Sequence, residues 1–409
     1  MRAVSWSLGL VAAALAACSW SQFDDLRNQT WAGATDKPDV KSSDYGVALQ
    51  RGARAGDGGT LVVVGAAPPS LSALVYTARG SASLAQAAIA LDTQYAIAAV
   101  DPQPIAIADP TSDDVSLIAS SGVNTISVLT FATQVSLHQL IVQPSSVDAA
   151  TYMQAPDRID PPHAGEHPPV QPLVAAGDYV LGTFYTNPPN PQPRCQLTDA
   201  GVAISPRALG TVHAGAVDDV IAWGKTGMLY RYPADVFNGC ATTQEPIGAV
   251  ATGFAPGGGS QILALDATRV VLQGHHDVDE ASFLQIYDAA TLTAIGAAVT
   301  LPRLRTAAVL DAAGTKYVLA GYPTAVVGGE ATGQVLVFLA AAAGLDATPA
   351  LALSDAQPSA NEAFGRAVAA MPFNGTDVIA VAAGDEIFVY FHAVLADGTT
   401  LYDETREGR

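Results

Sequence analysis

Short runs of β-forming residues recur along the chain, each followed by a Gly or Ala, a short polar gap and a second run. Runs of about four to six such residues, bounded by turn-forming residues, predict β-hairpins. The paired runs are "TLVVVGAAPPSLSALVYTARG", "QPIAIADPTSDDVSLIAS", "DYVLGTFYTNPPNPQPRCQL", "DVIAWGKTGMLYRYPA", "TRVVLQGHHDVDEASFLQIYDA", "KYVLAGYPTAVVGGEATGQVLVFLA" and "DVIAVAAGDEIFVYFHA". Apolar positions at helical spacing are few, and 37 Gly and 26 Pro interrupt the chain. Because Gly and Pro break regular structure, the pattern predicts an all-β protein of short strands.

The glycines that end the first run of several hairpins are spaced like structural repeats. They are Gly182, Gly224, Gly274, Gly321 and Gly384. Their intervals, roughly 40 to 60 residues, are typical of propeller blades. A four-stranded blade cannot bury both faces alone, so blades pack face to face in a ring. We therefore predict a β-propeller over residues 44–400 with about seven four-stranded blades. Residues 120–175 fit the repeat least, so six or eight blades are alternatives.

A closed ring brings the two ends of the repeat region together. We expect "DYGVALQ", or a nearby N-terminal segment, to pair with a C-terminal segment, with the last strands of the chain near residues 378–394. The remaining residues, 401–409, are predicted to form a C-terminal tail.

The N-terminus has the proportions of a secretory signal. One basic residue, Arg2, precedes an apolar stretch that is shorter than the roughly 20 residues needed to span a bilayer. The stretch ends in "LAAC", residues 15–18, which resembles the lipobox of bacterial lipoproteins. In that family the cysteine accepts a diacylglyceryl group, because a thiolate is the nucleophile, and the signal is cut just before it.

The lipobox resemblance implies that residues 1–17 are a removed signal peptide, that Cys18 is lipidated, and that residues 18–43 include a polar tether. Two or three acyl chains give stable membrane anchoring. Ser19, rather than Asp, follows the cysteine, which in this family favours the outer membrane. We therefore expect an outer-membrane lipoprotein of the bacterial cell envelope, on either its periplasmic or its surface side. The alternative is an ordinary signal peptide with an incidental cysteine.

Two stretches of the repeat region resemble FG-GAP repeats, the blades of the integrin α-subunit propeller. Residues 44–77 have Tyr-Gly where the family has Phe-Gly, and residues 362–391 have Phe364-Gly365 and a closing aromatic strand. Residues 320–338 resemble the later part of a third copy. We expect the glycine to permit a tight turn and the aromatic residue to pack between blades. The resemblance implies adhesion or another protein interaction; quinoprotein-like repeats are the alternative.

Integrin-type blades often bind calcium in a loop between their first two strands, since Ca²⁺ takes several oxygen ligands. The corresponding loops keep Asp57 in one copy, and Asn374 and Asp377 in another. Neither loop has the family's number of carboxylates, so plain hairpin turns are favoured over calcium sites. Calcium is the cofactor that the resemblance implies, and no other cofactor is expected.

Two cysteines remain after Cys18, namely Cys195 and Cys240. Both lie in turn-like surroundings, and the cell envelope permits disulfides. We expect these two cysteines to be bonded to each other. Two unpaired, half-buried thiols are the alternative.

Three stretches match, in full or in part, the sequence motifs of catalytic, metal or phosphate sites, but their predicted structures do not fit such sites. The stretch "HAGEH", residues 163–167, matches an inverted zinc-protease signature, but the surrounding prolines exclude the required helix. The stretch "HHDVDE", residues 275–280, places adjacent histidines on opposite faces of an extended chain, so we interpret it as a hairpin tip. The stretch "GKT", residues 224–226, lacks the first glycine and the helix of a phosphate loop. No catalytic residue is predicted.

The chain is acidic, with 19 Lys and Arg against 38 Asp and Glu and a net charge of −19. Such a balance argues against nucleic acid as a partner, because binding phosphates needs clustered cations. We therefore expect a lipid-anchored binding module, for adhesion or scaffolding, whose partner is a protein or a glycan. A propeller enzyme with a site at the central channel, such as a lyase, a glycosidase or a quinoprotein-like dehydrogenase, is the less favoured alternative.

Overall fold

The structure of the 409-residue chain is a computed structural model. It describes residues 44–51, 60–67, 70–79, 83–90, 105–108, 115–122, 125–131, 135–141, 173–176, 179–182, 195–214, 217–233, 243–257, 260–275, 281–312, 314–355, 363–373, 376–384, 386–394 and 400–403. Within these ranges the regular structure is β-strand and no α-helix occurs, which confirms the all-β prediction. It follows that none of these residues lies in a helix long and apolar enough to cross a membrane.

In each of the first three sheets, four strands are hydrogen-bonded in chain order, and sheet 3 has a fifth strand from later in the chain. Sheet 1 contains β1 (Asp44–Arg51), β2 (Thr60–Ala67), β3 (Ser70–Arg79) and β4 (Ser83–Ala90). Sheet 2 contains β5 (Ile105–Ala108), β6 (Val115–Gly122), β7 (Thr125–Phe131) and β8 (Val135–Ile141). Sheet 3 contains β9 (Leu173–Ala176), β10 (Tyr179–Gly182), β11 (Cys195–Asp199) and β12 (Val202–Ala203).

The next four sheets repeat this arrangement with small additions. Sheet 4 contains β13 (Pro206–Ala214), β14 (Val217–Gly224), β15 (Met228–Pro233) and β17 (Gly248–Ala251). The short strand β16 (Thr243–Gln244), which lies between β15 and β17 in the chain, pairs in parallel with β11 of sheet 3. Sheet 5 contains β18 (Gln261–Ala264), β19 (Arg269–His275), β20 (Ala281–Asp288) and β21 (Ala294–Pro302). Sheet 6 contains β22 (Thr306–Ala312), β23 (Thr315–Tyr322), β26 (Gln334–Ala341), β27 (Gly344–Leu345) and β28 (Leu351–Leu353). Between β23 and β26 the chain forms a separate hairpin of β24 (Val326–Val327) and β25 (Glu330–Ala331). Sheet 7 contains β29 (Ala367–Phe373), β30 (Thr376–Ala383), β31 (Glu386–Val394) and β32 (Thr400–Asp403).

The predicted hairpins correspond to neighbouring antiparallel strands of single sheets. In sheets 1 and 3 to 7 the two runs form the second and third strands, and in sheet 2 they form the first and second. β1 begins at Asp44 and β32 ends at Asp403; the bounds of the predicted domain, residues 44 and 400, stay a prediction.

The long apolar runs are explained by packing on both faces of a sheet. In β14, Val220 and Ala222 pack with residues of sheet 3, while Ile221 and Trp223 pack with residues of sheet 5. All four side chains are 0% exposed. A strand that is buried on both faces reads as a continuous hydrophobic run rather than an alternating one. The sheets from 3 to 7 are therefore stacked face to face, with apolar cores between them.

The first strands of neighbouring sheets lie against one another. β13 contacts β9 and β18, β18 contacts β22, and β22 contacts β29. β1 contacts β5 of sheet 2 and β29 of sheet 7, so the first sheet lies beside the last. The expectation that "DYGVALQ" itself pairs with a C-terminal strand is wrong, because β1 is hydrogen-bonded to β2 and sheet 7 is completed by its own β32. The alternative, pairing by a nearby N-terminal segment, concerns residues outside the described ranges. The first and last sheets meet by packing of β1 against β29 and β30 instead.

Candidate interaction face

The strand connections define two opposite ends of the sheets. In a sheet of four antiparallel strands, the connection from the second to the third strand and the connection from the fourth strand to the next sheet lie at the same end. We call this end the upper face and the opposite end the lower face. In sheets 4 to 6 the upper face includes the described residues 225–227, 252–257, 260, 303–305, 323–333, 354–355 and 363–366.

Three aromatic residues extend from the core between sheets 4 and 5 to the upper face. The buried ring of Trp223 meets Phe283 edge-on, with ring centroids 5.7 Å apart. Phe283 in turn is stacked on Phe254, with ring centroids 3.9 Å apart and an interplanar angle of 24°. Phe254 is 38% exposed. We call these three residues the aromatic stack; Phe254 is its solvent-accessible end.

The repeat glycine Gly274 makes room for this stack. A β-carbon at Gly274 would collide with the ring of Phe283, its partner across β19 and β20. Gly therefore permits the Phe283 ring to lie across the strand. The presence of glycine at this one of the recurring positions is thus explained by the aromatic ring of the neighbouring strand.

Thr252 fixes the loop that carries Phe254. The backbone N–H of Thr252 donates to the carbonyl of Gly227 at 3.0 Å. Its hydroxyl oxygen lies 2.8 Å from the carbonyl oxygens of both Gly227 and Phe254, and accepts the Phe254 N–H at 3.1 Å. The backbone of Phe254 is therefore held in place by hydrogen bonds within the chain.

Two exposed cations lie in the upper-face connections, one within sheet 4 and one between sheets 5 and 6. Lys225 lies in the turn between β14 and β15, two residues before Gly227. Arg305 follows the buried Leu304, whose N–H donates to the hydroxyl of Ser282 at 3.1 Å, and Ser282 directly precedes Phe283. Within the described residues, no ion pair involves Lys225 or Arg305.

On the lower face the arginines are paired and join neighbouring sheets. Arg231 of sheet 4 donates from Nε to Asp219 at 2.6 Å and from Nη1 to the carbonyl of Ala290 in sheet 5 at 2.8 Å. Arg269 of sheet 5 donates from Nε to Asp266 at 2.7 Å. Its Nη1 donates to the carbonyl of Ala341 in sheet 6 at 2.8 Å. We call these two arrangements the inter-sheet arginine contacts.

Aspartates cap the turns of the lower face. Asp288 accepts the N–H and hydroxyl of Thr291, both at 2.8 Å, and these bonds lower the pKa of Asp288 because they favour the carboxylate. The hydrogen bond from Lys316 likewise lowers the pKa of Asp311. Burial opposes ionisation of Asp266, but hydrogen bonds from Thr268 and Arg269 prevail, so its pKa is also lowered.

Glu245 connects sheets 3 and 4 on the same face. Its carboxylate accepts the hydroxyl of Thr198 at 2.7 Å and the backbone N–H groups of Ala200 and Gly201 at 2.8 and 2.9 Å. These bonds lower the pKa of Glu245. The carboxylates described on the lower face therefore accept hydrogen bonds that hold turns and link neighbouring sheets.

The aromatic residue of the Phe-Gly motif packs between sheets 6 and 7, as expected. Phe364 is 0% exposed, and its ring centroid lies 5.3 Å from that of Phe388 and 6.4 Å from that of Tyr390, both in β31. Its backbone N–H donates at 2.8 Å to the carbonyl of Thr332, which lies shortly before β26 of sheet 6. Phe364 thus joins the two sheets through both ring and backbone.

The glycine of the motif makes the tight turn that was expected of it. Gly365 has φ of +88°, a left-handed conformation that favours glycine. A β-carbon there would lie 2.7 Å from the carbonyl oxygen of Gln334. The Gly365 N–H donates to the carbonyl of Ala382 in β30 at 3.1 Å.

The predicted site residues lie mostly outside the described residues. This applies to Cys18, Asp57, Asn374 and Cys240. The backbone of Asp377 lies in β30, so the calcium loops stay a prediction. Cys195 begins β11, is 1% exposed and is disulfide-bonded; its pairing with Cys240 stays a prediction.

The other motifs add no metal or phosphate site to the described part of the chain. Residues 224–226 end β14 and form a turn, and β15 follows directly, so no helix follows the "GKT" stretch. The "HAGEH" stretch, residues 163–167, and residues 276–280 of the "HHDVDE" stretch lie outside the residues that the structure describes. Among the described residues, no three His, Cys, Asp or Glu side chains are grouped as metal ligands.

Sequence reasoning missed the aromatic stack and the lower-face turns. Three of the turns have a signal, an Asp-Ala dipeptide that begins at Asp266, Asp288 and Asp311, whose carboxylates accept backbone N–H groups. Asp and Asn side chains often accept hydrogen bonds from the backbone two residues on. The aromatic stack has no such signal, because Trp223, Phe254 and Phe283 belong to three separate segments.

Comparison with known proteins supports the fold without assigning a family. No protein-family model matches the chain, and no curated protein matches it. A chain in "Crystal structure of BBS1N in complex with ARL6DN, soaked with lead" is 12% identical, with a TM-score of 0.53 over 88% of this chain and 97% of that one. Chains in "Apo ctPRC2 in an autoinhibited state" and in the humanized mutant of Chaetomium thermophilum Polycomb Repressive Complex 2 bound to the inhibitor GSK343 are each 10% identical, with a TM-score of 0.54 over the same shares. These neighbours have propeller-type folds, and the likeness shows the fold alone.

Proposed function

We propose that the seven sheets are the blades of one closed β-propeller and that this propeller is a protein-binding module of the bacterial cell envelope. The observation that carries the proposal is the contact between β1 and β29, which makes the first and last sheets neighbours. A ring of packed sheets holds its connecting loops in fixed positions, and such loops on a rigid scaffold are well suited to recognition.

The upper face is the binding face in this proposal. It carries a partly exposed aromatic ring and two exposed cations, Lys225 and Arg305, that form no ion pair within the described residues. Aromatic residues and Arg are enriched in protein interfaces. The printed names of the structural neighbours describe proteins in complexes with other proteins, which is consistent with a protein partner. Adhesion and scaffolding are the two forms that the binding can take.

The membrane attachment is proposed from the sequence. Lipidation of Cys18 would anchor the chain, and the polar residues that follow would hold the propeller away from the bilayer. A Cys18→Ser variant tests this in cells fed labelled palmitate. We expect label in the wild-type protein only, and release of the variant from the membrane fraction. Equal membrane association of both proteins would contradict the anchor.

Site-specific photo-cross-linking in intact cells tests the binding face. We would place p-benzoylphenylalanine at Thr226 or Val326, both exposed on the upper face, and at Thr268, exposed on the lower face, as the matched control. We expect light-dependent protein adducts from the two upper-face positions and none from position 268. Adducts from position 268 alone, or from no position, would overturn the proposal.

A further inference from the structure

We infer that residues 323–333, which contain the hairpin of β24 and β25, are the recognition element of the upper face, and that this element docks onto a basic protein segment with an apolar side chain. We call residues 323–333 the upper-face hairpin. The inference rests on the proposed function, because it names the part of the upper face that makes the contact and the chemistry of its partner.

The upper-face hairpin is an enlarged connection within its sheet. In sheet 4 the second and third strands are joined by the short turn of residues 225–227. In sheet 6 the equivalent connection is residues 323–333, which form two strands of their own. Residues that bind partners often lie in loops that a rigid scaffold holds in place. This connection is therefore a candidate recognition element.

The tip of the hairpin has a well-defined turn. Val326 of β24 pairs with Ala331 of β25. The two glycines at the tip, Gly328 and Gly329, have φ of +64° and +99°. Positive φ at both central residues is the geometry of the two-residue turn that matches the twist of a hairpin. The sequence Gly-Gly thus specifies a compact tip.

The base of the hairpin is anchored at the junction of sheets 6 and 7. The N–H of Gly333 donates to the carbonyl of Ala325 at 3.0 Å, and the carbonyl of Thr332 accepts the N–H of Phe364 at 2.8 Å. Ala325 and Thr332 are buried, at 2% and 1% exposure. A segment that is held in one conformation loses less entropy when it binds.

The tip presents apolar side chains to solvent. Val326 is 70% exposed, the largest exposed fraction among the large apolar side chains in the described part of the chain. Its cross-strand partner Ala331 is also exposed. Residues directly opposite each other in an antiparallel pair lie on the same face, so the two side chains form one small apolar surface. An apolar side chain of a partner would remove this surface from water, which is favourable.

The charge of the hairpin identifies the partner as basic. Glu330 is exposed and is the only charged residue between Lys316 and Asp346. Within the described residues it forms no ion pair and no side-chain hydrogen bond, so its carboxylate is available to a cation. The net charge of −19 attracts the same kind of partner, because the field of the whole chain steers oppositely charged molecules toward it.

Peptide binding to the full-length chain tests the inference. Three fluorescent peptides of about 12 residues serve as probes: a basic peptide of Lys and Ser with one central Leu, the same peptide with Gly in place of Leu, and an acidic version with Glu in place of Lys. Fluorescence anisotropy measures the dissociation constant of each. We expect the basic Leu peptide to bind best, about threefold more tightly than its Gly version.

Two turn variants separate the shape of the hairpin from its chemistry. Gly329→Val places a β-branched residue at φ of +99°, which such residues rarely adopt, so binding of the basic Leu peptide should weaken about tenfold. Gly328→Asn is the matched control, because Asn followed by Gly suits this turn, and binding should stay within about twofold. A β-carbon at either glycine meets no atom within 4 Å, so neither variant clashes with the rest of the structure.

Side-chain variants test the apolar and the charged contact. Val326→Ser should weaken binding of the basic Leu peptide about threefold, and Glu330→Lys about tenfold. Val202→Ser is the apolar control, because it changes a valine that is 69% exposed in sheet 3. Asp346→Lys is the charge control, because it makes the same change in net charge at an exposed position between β27 and β28. Both controls should leave binding within about twofold.

Several results would overturn the inference. These are a preference for the acidic peptide, equal binding of the Leu and Gly peptides, undiminished binding by Gly329→Val, Val326→Ser or Glu330→Lys, equal weakening by Asp346→Lys and Glu330→Lys, or no binding of any peptide. Cross-linking from Thr226 or Val326 in cells would then still support a protein-binding upper face with a different partner chemistry. Failure of both experiments would remove the proposed function as well.

Discussion

Neighbouring sheets are held together differently at two places in this molecule. Between sheets 6 and 7 the link is apolar and fully buried, with Phe364 packed on two aromatic rings of β31. Between sheets 4 and 5 an apolar core is joined by a polar link at its lower edge, where Arg231 contacts Asp219 and the carbonyl of Ala290. The side chains of Arg231 and Asp219 remain 21% and 10% exposed.

The difference separates two physical roles. Burying an aromatic side chain removes a large apolar area from water and gives most of the stabilisation. A partly exposed ion pair gives little net stabilisation, because desolvation offsets the attraction, but its directional hydrogen bonds favour one alignment of the two sheets. We therefore interpret the apolar junctions as the source of stability and the inter-sheet arginine contacts as the source of sheet alignment.

The largest effect is expected from Phe364→Ala. The side chain is 0% exposed and its removal leaves a cavity at the sheet 6 and 7 junction, so the free energy of unfolding should fall by about 3–5 kcal/mol. Urea unfolding measures this loss. Val326→Ala, which shortens a 70% exposed side chain in the β24–β25 hairpin, is the control and should change stability by less than about 0.5 kcal/mol. Similar losses for the two variants would contradict the interpretation.

The sequence was sufficient to predict the elements that depend on local pattern. The hairpin of β14 and β15 follows from two apolar runs around Gly-Lys-Thr-Gly, and the packing of Phe364 follows from the Phe-Gly motif. Strand runs and turn residues are local, so their prediction needs no knowledge of distant partners.

Contacts between distant segments could not be predicted in this way. The stacking of Phe254 on Phe283 depends on a loop that crosses from one sheet to the next, and Arg269 meets a carbonyl 72 residues away in Ala341. The prediction that β1 is hydrogen-bonded to a strand of the last sheet was wrong for the same reason. Short apolar runs indicate strands but leave the pairing between remote strands open.

The second prediction concerns the glycine of the same junction. Gly365→Ala places a β-carbon in a left-handed conformation and against the Gln334 carbonyl, so it should destabilise by about 2–3 kcal/mol. Gly314→Ala is the matched control, because Gly314 has φ of +85° but open space at its β-carbon position. It should cost about 1 kcal/mol, from the backbone conformation alone. Equal losses in urea unfolding would show that the close approach to sheet 6 is unimportant.

The third prediction concerns the polar link between sheets 4 and 5. Arg231→Ala leaves the 7% exposed Asp219 without its cation, and should cost about 2 kcal/mol. Replacing both residues, in Asp219→Asn with Arg231→Gln, should recover at least half of that loss, because no charge is left buried. The control Lys316→Ala breaks a pair whose aspartate is 51% exposed and should cost less than about 0.5 kcal/mol. A double variant less stable than Arg231→Ala would argue that the pair stabilises beyond its alignment role.

The smallest effect is the acid sensitivity of the lower-face turns. Hydrogen bonds from Thr291 lower the pKa of Asp288 in the folded chain, so the folded state holds this proton less tightly than the unfolded state, whose carboxyl has a pKa of about 3.9. The resulting stabilisation is present above the unfolded value and is lost as the pH falls through the folded one. Because Asp288 is near solvent, it should amount to only about 0.5 kcal/mol. Asp288→Asn should therefore reduce the drop in melting temperature between pH 6 and pH 2. The control is Glu330→Gln, which removes an exposed carboxylate that has no side-chain hydrogen bond among the described residues. This control should leave the drop in melting temperature unchanged. If the two variants flatten the pH profile equally, general charge repulsion and not the turn hydrogen bond sets the acid response of this face.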